Sequence, residues 1–327
     1  MARRIHIVPV EDESNGVWRV ANMLAAEDGG TVQLGCGGLD DAEEVWVHGM
    51  WLPREWRACW RALRLGKRLV RMTHGSLSPA YLRYHGWKKW LVGPIERYFL
   101  RRSDRIVATC AAEKGWIEAY LGKRCPPIEV TDIKRFFDLS RVEGGGGNGR
   151  VERVDGMGMD SRVERVEGER KLHLLYLGRR HPLKGLEYLE EAVKSLEFRV
   201  QSSECRVPGS VFWVGGRECV FRMESNVFGE EKERVWAWCD VLVLPTLSEN
   251  FGLVVAEALE RGKRVITTDG APAWGGNLSR VERVETCRGG EILSGYGGRL
   301  IYLKGYRDGS AEERVRLLKE AIESLSV

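Results

Sequence analysis

Short apolar runs separated by amphipathic segments recur along the chain, and this alternation narrows the possible folds more than any other feature. In the first part the runs are Ile5–Val10, Thr31–Leu34, Val45–His48, Leu69–Met72, Arg105–Thr109 and Ile128–Val130. Between them lie Val17–Ala26, closed by Gly29-Gly30, then Pro53–Leu65 and Ala111–Leu121. Strand followed by helix followed by strand is the signature of a mostly parallel α/β layer. The pattern stops between Asp138 and Arg170, where Gly144 to Gly147 and a stuttering Ser-Arg-Val-Glu repeat at 140 and 161, found again at 279, offer few bulky apolar residues to bury. It resumes at Leu172–Leu177, Gly185–Leu196, Val211–Val214, Glu230–Cys239, Val241–Leu244, Gly252–Arg261, Arg264–Thr267, Leu300–Leu303 and Ala311–Ser326. In the last segment Val315, Leu318, Ile322 and Leu325 share one helical face. The unit after Val211 reads as shortened, because Gly215-Gly216 to Glu224 barely holds a helix. A length of 327 residues also suits two domains. The expected organisation is an α/β domain over 1–130, a linker with a repeat-rich insertion over 131–171 and a second α/β domain over 172–327. Such proteins place ligands in the crevice at the carboxyl ends of the strands.

Composition excludes several classes. With 30% charged and 43% hydrophobic residues the chain can bury a core and is not disordered as a whole. A net charge of +4 demands no polyanionic partner, but residues 51–105 hold fourteen Lys and Arg against three acids, so one basic region sits on a mildly acidic body. The eight cysteines are scattered without a Cys-x-x-Cys pair, which argues against a zinc site or a disulfide scaffold and for a reducing compartment. Ile5–Val10 is too short for a signal-peptide core, and no run approaches eighteen apolar residues, so the expected location is the cytoplasm.

Three segments carry candidate chemistry. In Asp240-Val-Leu-Val-Leu-Pro-Thr-Leu-Ser-Glu249-Asn250-Phe251-Gly252-Leu253, continuing to Glu257, a buried strand leads through a polar loop to a helix whose free N–H groups begin near Asn250. Unpaired donors and the macrodipole make that end attractive to anions, and the two flanking carboxylates are placed to accept from sugar hydroxyls. On charge pattern alone Glu249 reads as an ordinary first-turn acid and Glu257 as a solvated helix residue. In Gly178-Arg179-Arg180-His181-Pro182-Leu183-Lys184-Gly185, two cations bracket a turn at a strand end, where they can neutralise a diphosphate. A basic surface turn is the plain alternative. Thr73-His74-Gly75-Ser76 follows another strand; a lone histidine is often structural, but a strand end followed by glycine suits a site.

Together these segments resemble the retaining nucleotide-sugar glycosyltransferases of family 4, over Arg4 to about Val130 and Leu172 to about Trp274. Glu249 to Glu257 matches the family's E-x7-E motif, and Asp269-Gly270-Ala271-Pro272 resembles the loop after the next strand. The resemblance implies a GT-B fold, two Rossmann-like domains facing across a central cleft. It further implies that Glu249 touches the donor sugar and Glu257 the nucleotide ribose, while backbone N–H groups of Asn250, Phe251, Gly252 and Leu253 face the diphosphate or sugar. Arg179 and Lys184 would bind the diphosphate as it leaves, Gly16 would let the backbone approach it, and His74 would orient the donor sugar. No metal or other cofactor is expected, in keeping with the absence of an Asp-x-Asp motif. The expected partners are a nucleotide sugar and a glycan or lipid-linked acceptor of the cell-envelope kind. The rival functions are a GT-B nucleotide-sugar epimerase and a non-catalytic nucleotide-sugar binder or scaffold.

In the basic region, Arg54, Arg57, Arg61, Arg64 and Arg68 fall on one helical stripe and Trp56, Cys59, Trp60 and Leu63 on another. Residues 86–105 repeat the mixture, with Trp87, Lys88, Lys89, Trp90, Arg97, Tyr98, Phe99, Arg101 and Arg102. Cations interleaved with aromatics over 53–68 and 86–105 suit an anionic membrane surface, which would make the protein peripheral at the inner membrane face. A core-facing helix with a solvated basic back fits the pattern as well. Nucleic acid is not expected, since no recognition motif accompanies the charge.

Overall fold

The computed structural model describes residues 3–13, 15–84, 86–140, 171–197, 210–214, 216–275, 278 and 291–326. The first half runs β1 (Arg4–Ile7), α1 (Gly16–Asp28), β2 (Thr31–Gln33), β3 (Glu44–His48), α2 (Pro53–Arg64), β4 (Arg68–Met72), α3 (Pro79–Arg83), α4 (Gly86–Arg101), β5 (Arg105–Ala108), α5 (Ala111–Leu121) and β6 (Ile128–Val130). Its six strands lie in the order β2-β1-β3-β4-β5-β6, all parallel. The second half runs β7 (Leu172–Leu177), α6 (Leu186–Glu197), β8 (Ser210–Val214), β9 (Arg217–Glu224), α7 (Gly229–Trp238), β10 (Val241–Leu244), α8 (Leu253–Glu260), β11 (Arg264–Thr268), β12 (Glu291–Gly295), β13 (Leu300–Lys304) and α9 (Ala311–Glu323). Its sheet has the order β12-β13-β11-β10-β7-β9-β8, parallel except for the antiparallel pairs β8–β9 and β12–β13.

The central strands explain the parallel sheets. Every residue of β3 and of β10 is buried, as strands covered on both faces must be. Helix ends follow local chemistry: Asn15 caps α1 by accepting from Val17 N–H at 2.9 Å, and Gly29 closes it in the left-handed region. Ser310 and Glu313 form a reciprocal capping box at the start of α9.

The segment from Arg217 to Glu224, expected to be a cramped helix, is strand β9. Its period-two pattern buries Cys219 and Phe221 while the residues beside them stay partly exposed, and it fills the place between β7 and β8. Residues 86–101, expected only as a basic and aromatic cluster, form helix α4. The terminal stripe holds: Leu318, Ile322 and Leu325 are buried, Val315 packs against the core, and α9 lies on α6 within the second half. The Ser-Arg-Val-Glu repeats beyond Ser140 and the Gly144–Gly147 run lie outside the described residues. Before that point Ile133 and Leu139 enter the core. The core itself is shared, since one hydrophobic cluster includes Val20, Val70 and Val107 of the first half and the interior of the second.

Candidate active site

Loops at the carboxyl ends of β1, β4, β7 and β10 meet in a cleft of about 480 Å³ between the halves, within the range of small-molecule sites. Gly16, His74, Arg179, Lys184, Glu249 and Glu257 all line it, as do Asn250, Phe251, Gly252 and Leu253.

The two loops of the second half are knitted together. Leu247 N–H donates to the Leu183 carbonyl at 2.9 Å and Thr246 Oγ1 at 3.1 Å. Gly185 has φ of 62°, and a Cβ there would run into the Pro245 carbonyl, so glycine is required at this crossing. Tyr176 O–H donates to the Arg179 carbonyl at 2.9 Å and fixes the cationic turn. These contacts bring Lys184 Nζ directly onto Glu249 Oε2, while Glu249 Oε1 takes the Asn250 N–H at 3.3 Å. An ammonium has three donors, so the pair leaves Lys184 with two for a phosphate. Among the described residues Arg179 makes no side-chain ion pair or hydrogen bond, which leaves its guanidinium available.

Helix α8 starts later than its sequence suggests. Gly252, at φ of 73°, is its N-cap and Leu253 its first residue; the Asn250 N–H, expected as a ligand donor, is already taken by Glu249. Four residues into α8, Glu257 is 4% exposed, which excludes a solvated helix carboxylate. It is gripped by Arg19 of α1 from the other half and by Lys232 of α7 at 2.8 Å. Neither cation was expected from sequence, because neither belongs to a motif; each reaches Glu257 only through tertiary packing.

On the opposite wall, His74 and Gly75 have φ of 50° and 72°. A histidine in the left-handed region costs roughly 1–3 kcal/mol. Glu113, fully buried on α5, offsets it by accepting from Thr73 Oγ1 and Gly75 N–H at 2.6 Å and from Thr109 N–H and Oγ1 at 2.8 Å. Hydrogen bonds to a charged acceptor are worth about 1.5–3 kcal/mol each, enough to hold the turn. Glu113 too was missed, its helix having drawn attention only for its apolar face. The Gly75 turn touches the second half: a Cβ on Gly75 would lie 2.9 Å from that of Asn250, whose Oδ1 is 2.8 Å from Thr109 Oγ1. Ser78 and Ser248 hydroxyls meet at 2.7 Å, and the Tyr84 and His181 rings at 4.9 Å. Burial of the His74 ring pushes its pKa down to about 3. Among the described residues no group of three or more His, Cys, Asp and Glu is arranged to hold a metal ion.

Two facing Rossmann-like halves with a strand-end cleft between them define a GT-B protein. Residues 14–131 match a glycosyl transferase 4-like domain and residues 171–278 the glycosyl transferases group 1 domain. The chain belongs to glycosyltransferase family 4, and it is a transferase. No curated protein matches it at the level of sequence. Among solved structures it is similar to sucrose-phosphate synthase from Thermosynechococcus elongatus, with a TM-score of 0.56 and 14% identity over 98% of this chain and 90% of that one. It is also similar to Anabaena HepE, solved in complex with UDP, with a TM-score of 0.54 and 11% identity over 99% of this chain and 91% of that one.

Proposed function

We propose that the protein moves a sugar from a nucleotide-sugar donor to a hydroxyl of a glycan or lipid-linked acceptor, with retention at the anomeric carbon and without a metal. The observation that carries this reading is the convergence of Arg179, Lys184, Glu249, Glu257 and the start of α8 on one cleft. In this reading Arg179 and the two remaining donors of Lys184 hold the diphosphate and neutralise the charge that grows as it departs. Glu249, its carboxylate fixed by Lys184 and Asn250, accepts from the donor sugar, and Glu257 accepts from the ribose. Gly16 sits at the first turn of α1, where a Cβ would be in ordinary contact 3.7 Å from Leu253 Cδ1; the backbone there faces the same phosphates. His74 orients the sugar from the opposite wall.

The acceptor side of the reading rests on α2 and α4, which pack against each other. Trp87 is 67% and Trp90 80% exposed, so these indoles do not face a core. The stripe on α2 divides: Cys59 is buried, Trp56 and Leu63 pack on the core, and Trp60 stands out beside Arg64. Exposed aromatics among cations suit an anionic bilayer presenting a lipid-linked acceptor. No helix among the described residues is long and apolar enough to cross a membrane, and the six described cysteines are free, which suits work at the cytoplasmic face.

The test is turnover. Lys184→Ala and Glu249→Ala are each expected to cut donor hydrolysis and transfer roughly 100-fold or more, with unchanged circular dichroism. Unaltered turnover in both overturns the reading. Donor binding with no turnover across an acceptor panel would indicate a scaffold, and product formed without any acceptor an epimerase.

A further inference from the structure

Strands buried on both faces are normally apolar, yet β1 and β3 carry His6 and His48 with no exposure at all. His6 Nδ1 lies 2.9 Å from His48 Nε2, and His48 Nδ1 lies 2.9 Å from His74 Nε2. At the far end His6 Nε2 is 3.2 Å from Oδ2 of Asp28, the last residue of α1. Trp46 stacks on His6 with centroids 5.0 Å apart, and each ring of the chain is 5.2 Å from the next. An unbroken line of side chains thus joins a carboxylate at one end of the sheet to the cleft at the other.

With three neutral imidazoles, counting protons fixes the direction of this line. A carboxylate only accepts, so His6 must carry its hydrogen on Nε2. A neutral imidazole has a single N–H, so His6 Nδ1 is bare and takes the hydrogen of His48 Nε2. By the same step His48 Nδ1 is bare and the one hydrogen of His74 sits on Nε2. The nitrogen of His74 outside the chain, Nδ1, is then an acceptor. One proton added at His74 Nδ1 reverses both histidine–histidine bonds, leaves His6 donating to Asp28 as before, and turns His74 Nδ1 into a donor.

We propose that Asp28, His6 and His48 are positioning residues that set His74 to accept a hydrogen bond from a substrate hydroxyl in the cleft. The charged groups around the chain are consistent with it. Gly30 N–H donates to Asp28 Oδ1 at 2.9 Å and Arg4 lies 3.6 Å from Asp28, which keep it a carboxylate; Arg4 also reaches Glu44 at 3.4 Å. Burial raises the Asp28 pKa, but His6, Gly30 and Arg4 outweigh it and hold the group below its ordinary value. At the middle of the chain burial first, then His74, His6 and Arg71, keep His48 well below the ordinary histidine range and therefore neutral.

The assignment of a substrate to His74 rests on the proposed donor site; the tautomers do not, so the two can fail separately. With uniformly 15N-histidine-labelled wild-type protein, long-range nitrogen–proton correlation near pH 7.5 should show His6, His48 and His74 all as Nε2–H tautomers. His74 carrying its hydrogen on Nδ1 overturns the proposal, whatever any variant does. Asp28→Asn can donate its amide to His6 and let the chain run the other way. It should therefore move His74 toward the Nδ1–H form and lower kcat/KM about tenfold or more. Loss of activity with unchanged tautomers would mean a merely structural role, and changed tautomers with unchanged kcat/KM would mean that nothing depends on the acceptor; either result overturns it. Should Lys184→Ala and Glu249→Ala both leave turnover intact, the donor reading fails while the nitrogen spectra still decide the chain.

Discussion

At the scale of single residues, the buried charges outside the cleft show how much polar structure this fold carries. Arg71 and Glu96 are both fully buried and meet at 3.2 Å, and Glu96 also accepts from Trp51 N–H at 2.5 Å and Trp56 Nε1 at 2.7 Å. Glu55, 1% exposed beside them, accepts from Leu52 N–H at 3.1 Å, and its Oε1 is buried with no hydrogen-bond partner among the described residues. Burial pushes its pKa from the ordinary 4.5 up to about 7, against the pull of Arg71 and the Leu52 N–H. Folded protein therefore keeps a proton there that the unfolded chain has lost. The associated stability is complete below pH 4.5 and disappears as pH rises through 7, a swing of up to about 3 kcal/mol. Glu55→Gln should flatten the fall of the urea midpoint between pH 5 and 7 relative to wild type; parallel curves would contradict the shifted carboxyl. None of these groups was legible in sequence. An isolated Glu or Arg looks solvated until the chain is folded around it, and the same holds for His6, His48 and Glu113.

Elements were easier to read than residues wherever one face or one run was apolar. The all-apolar strand Val241–Leu244 and the terminal helix stripe both appear as expected, because burial on two faces and on one face leaves periodicities of different kinds. Strand β9 escaped because its polar residues, Arg217, Glu218, Arg222 and Glu224, hid the alternation of Cys219 and Phe221. Helix α4 escaped for the opposite reason: most of its large apolar residues point outward, and the buried neighbours Phe99 and Leu100 make no inward stripe that would announce it. Leu91, Ile95 and Tyr98 join the two indoles on its exposed surface. Replacing Trp87 and Trp90 together by Ser should reduce sedimentation with phosphatidylglycerol vesicles several-fold without changing hydrolysis of a soluble donor. Raising salt to roughly 1 M, where screening acts within ~3 Å, should weaken wild-type binding as well. Attachment equal on phosphatidylcholine and insensitive to salt would remove the electrostatic part of the reading.

At the scale of the whole molecule, the cleft is assembled by both halves. Asn250 of one approaches Gly75 of the other, and Glu257 is held by a cation from each. A nucleotide sugar that binds only this arrangement should raise the apparent melting temperature; at one hundred times its dissociation constant the gain is about 2.7 kcal/mol, or roughly 5 °C. A panel of donors screened this way should yield one base and sugar that stands out, and a flat panel would count against the donor site. The motif residues of the cleft were legible because each follows a strand, and strand ends converge by topology alone. Arg19 and Lys232 were not, since their part depends on how the two halves meet. That meeting sets a constraint on traffic through the site. In the proposed reading the ribose joins Arg19 and Lys232 on one carboxylate that both halves already hold, so nucleotide occupancy and adhesion of the halves favour one another in equal measure. A bolt engineered between the halves, remote from sugar and base alike, would then govern how readily spent nucleotide is exchanged for fresh.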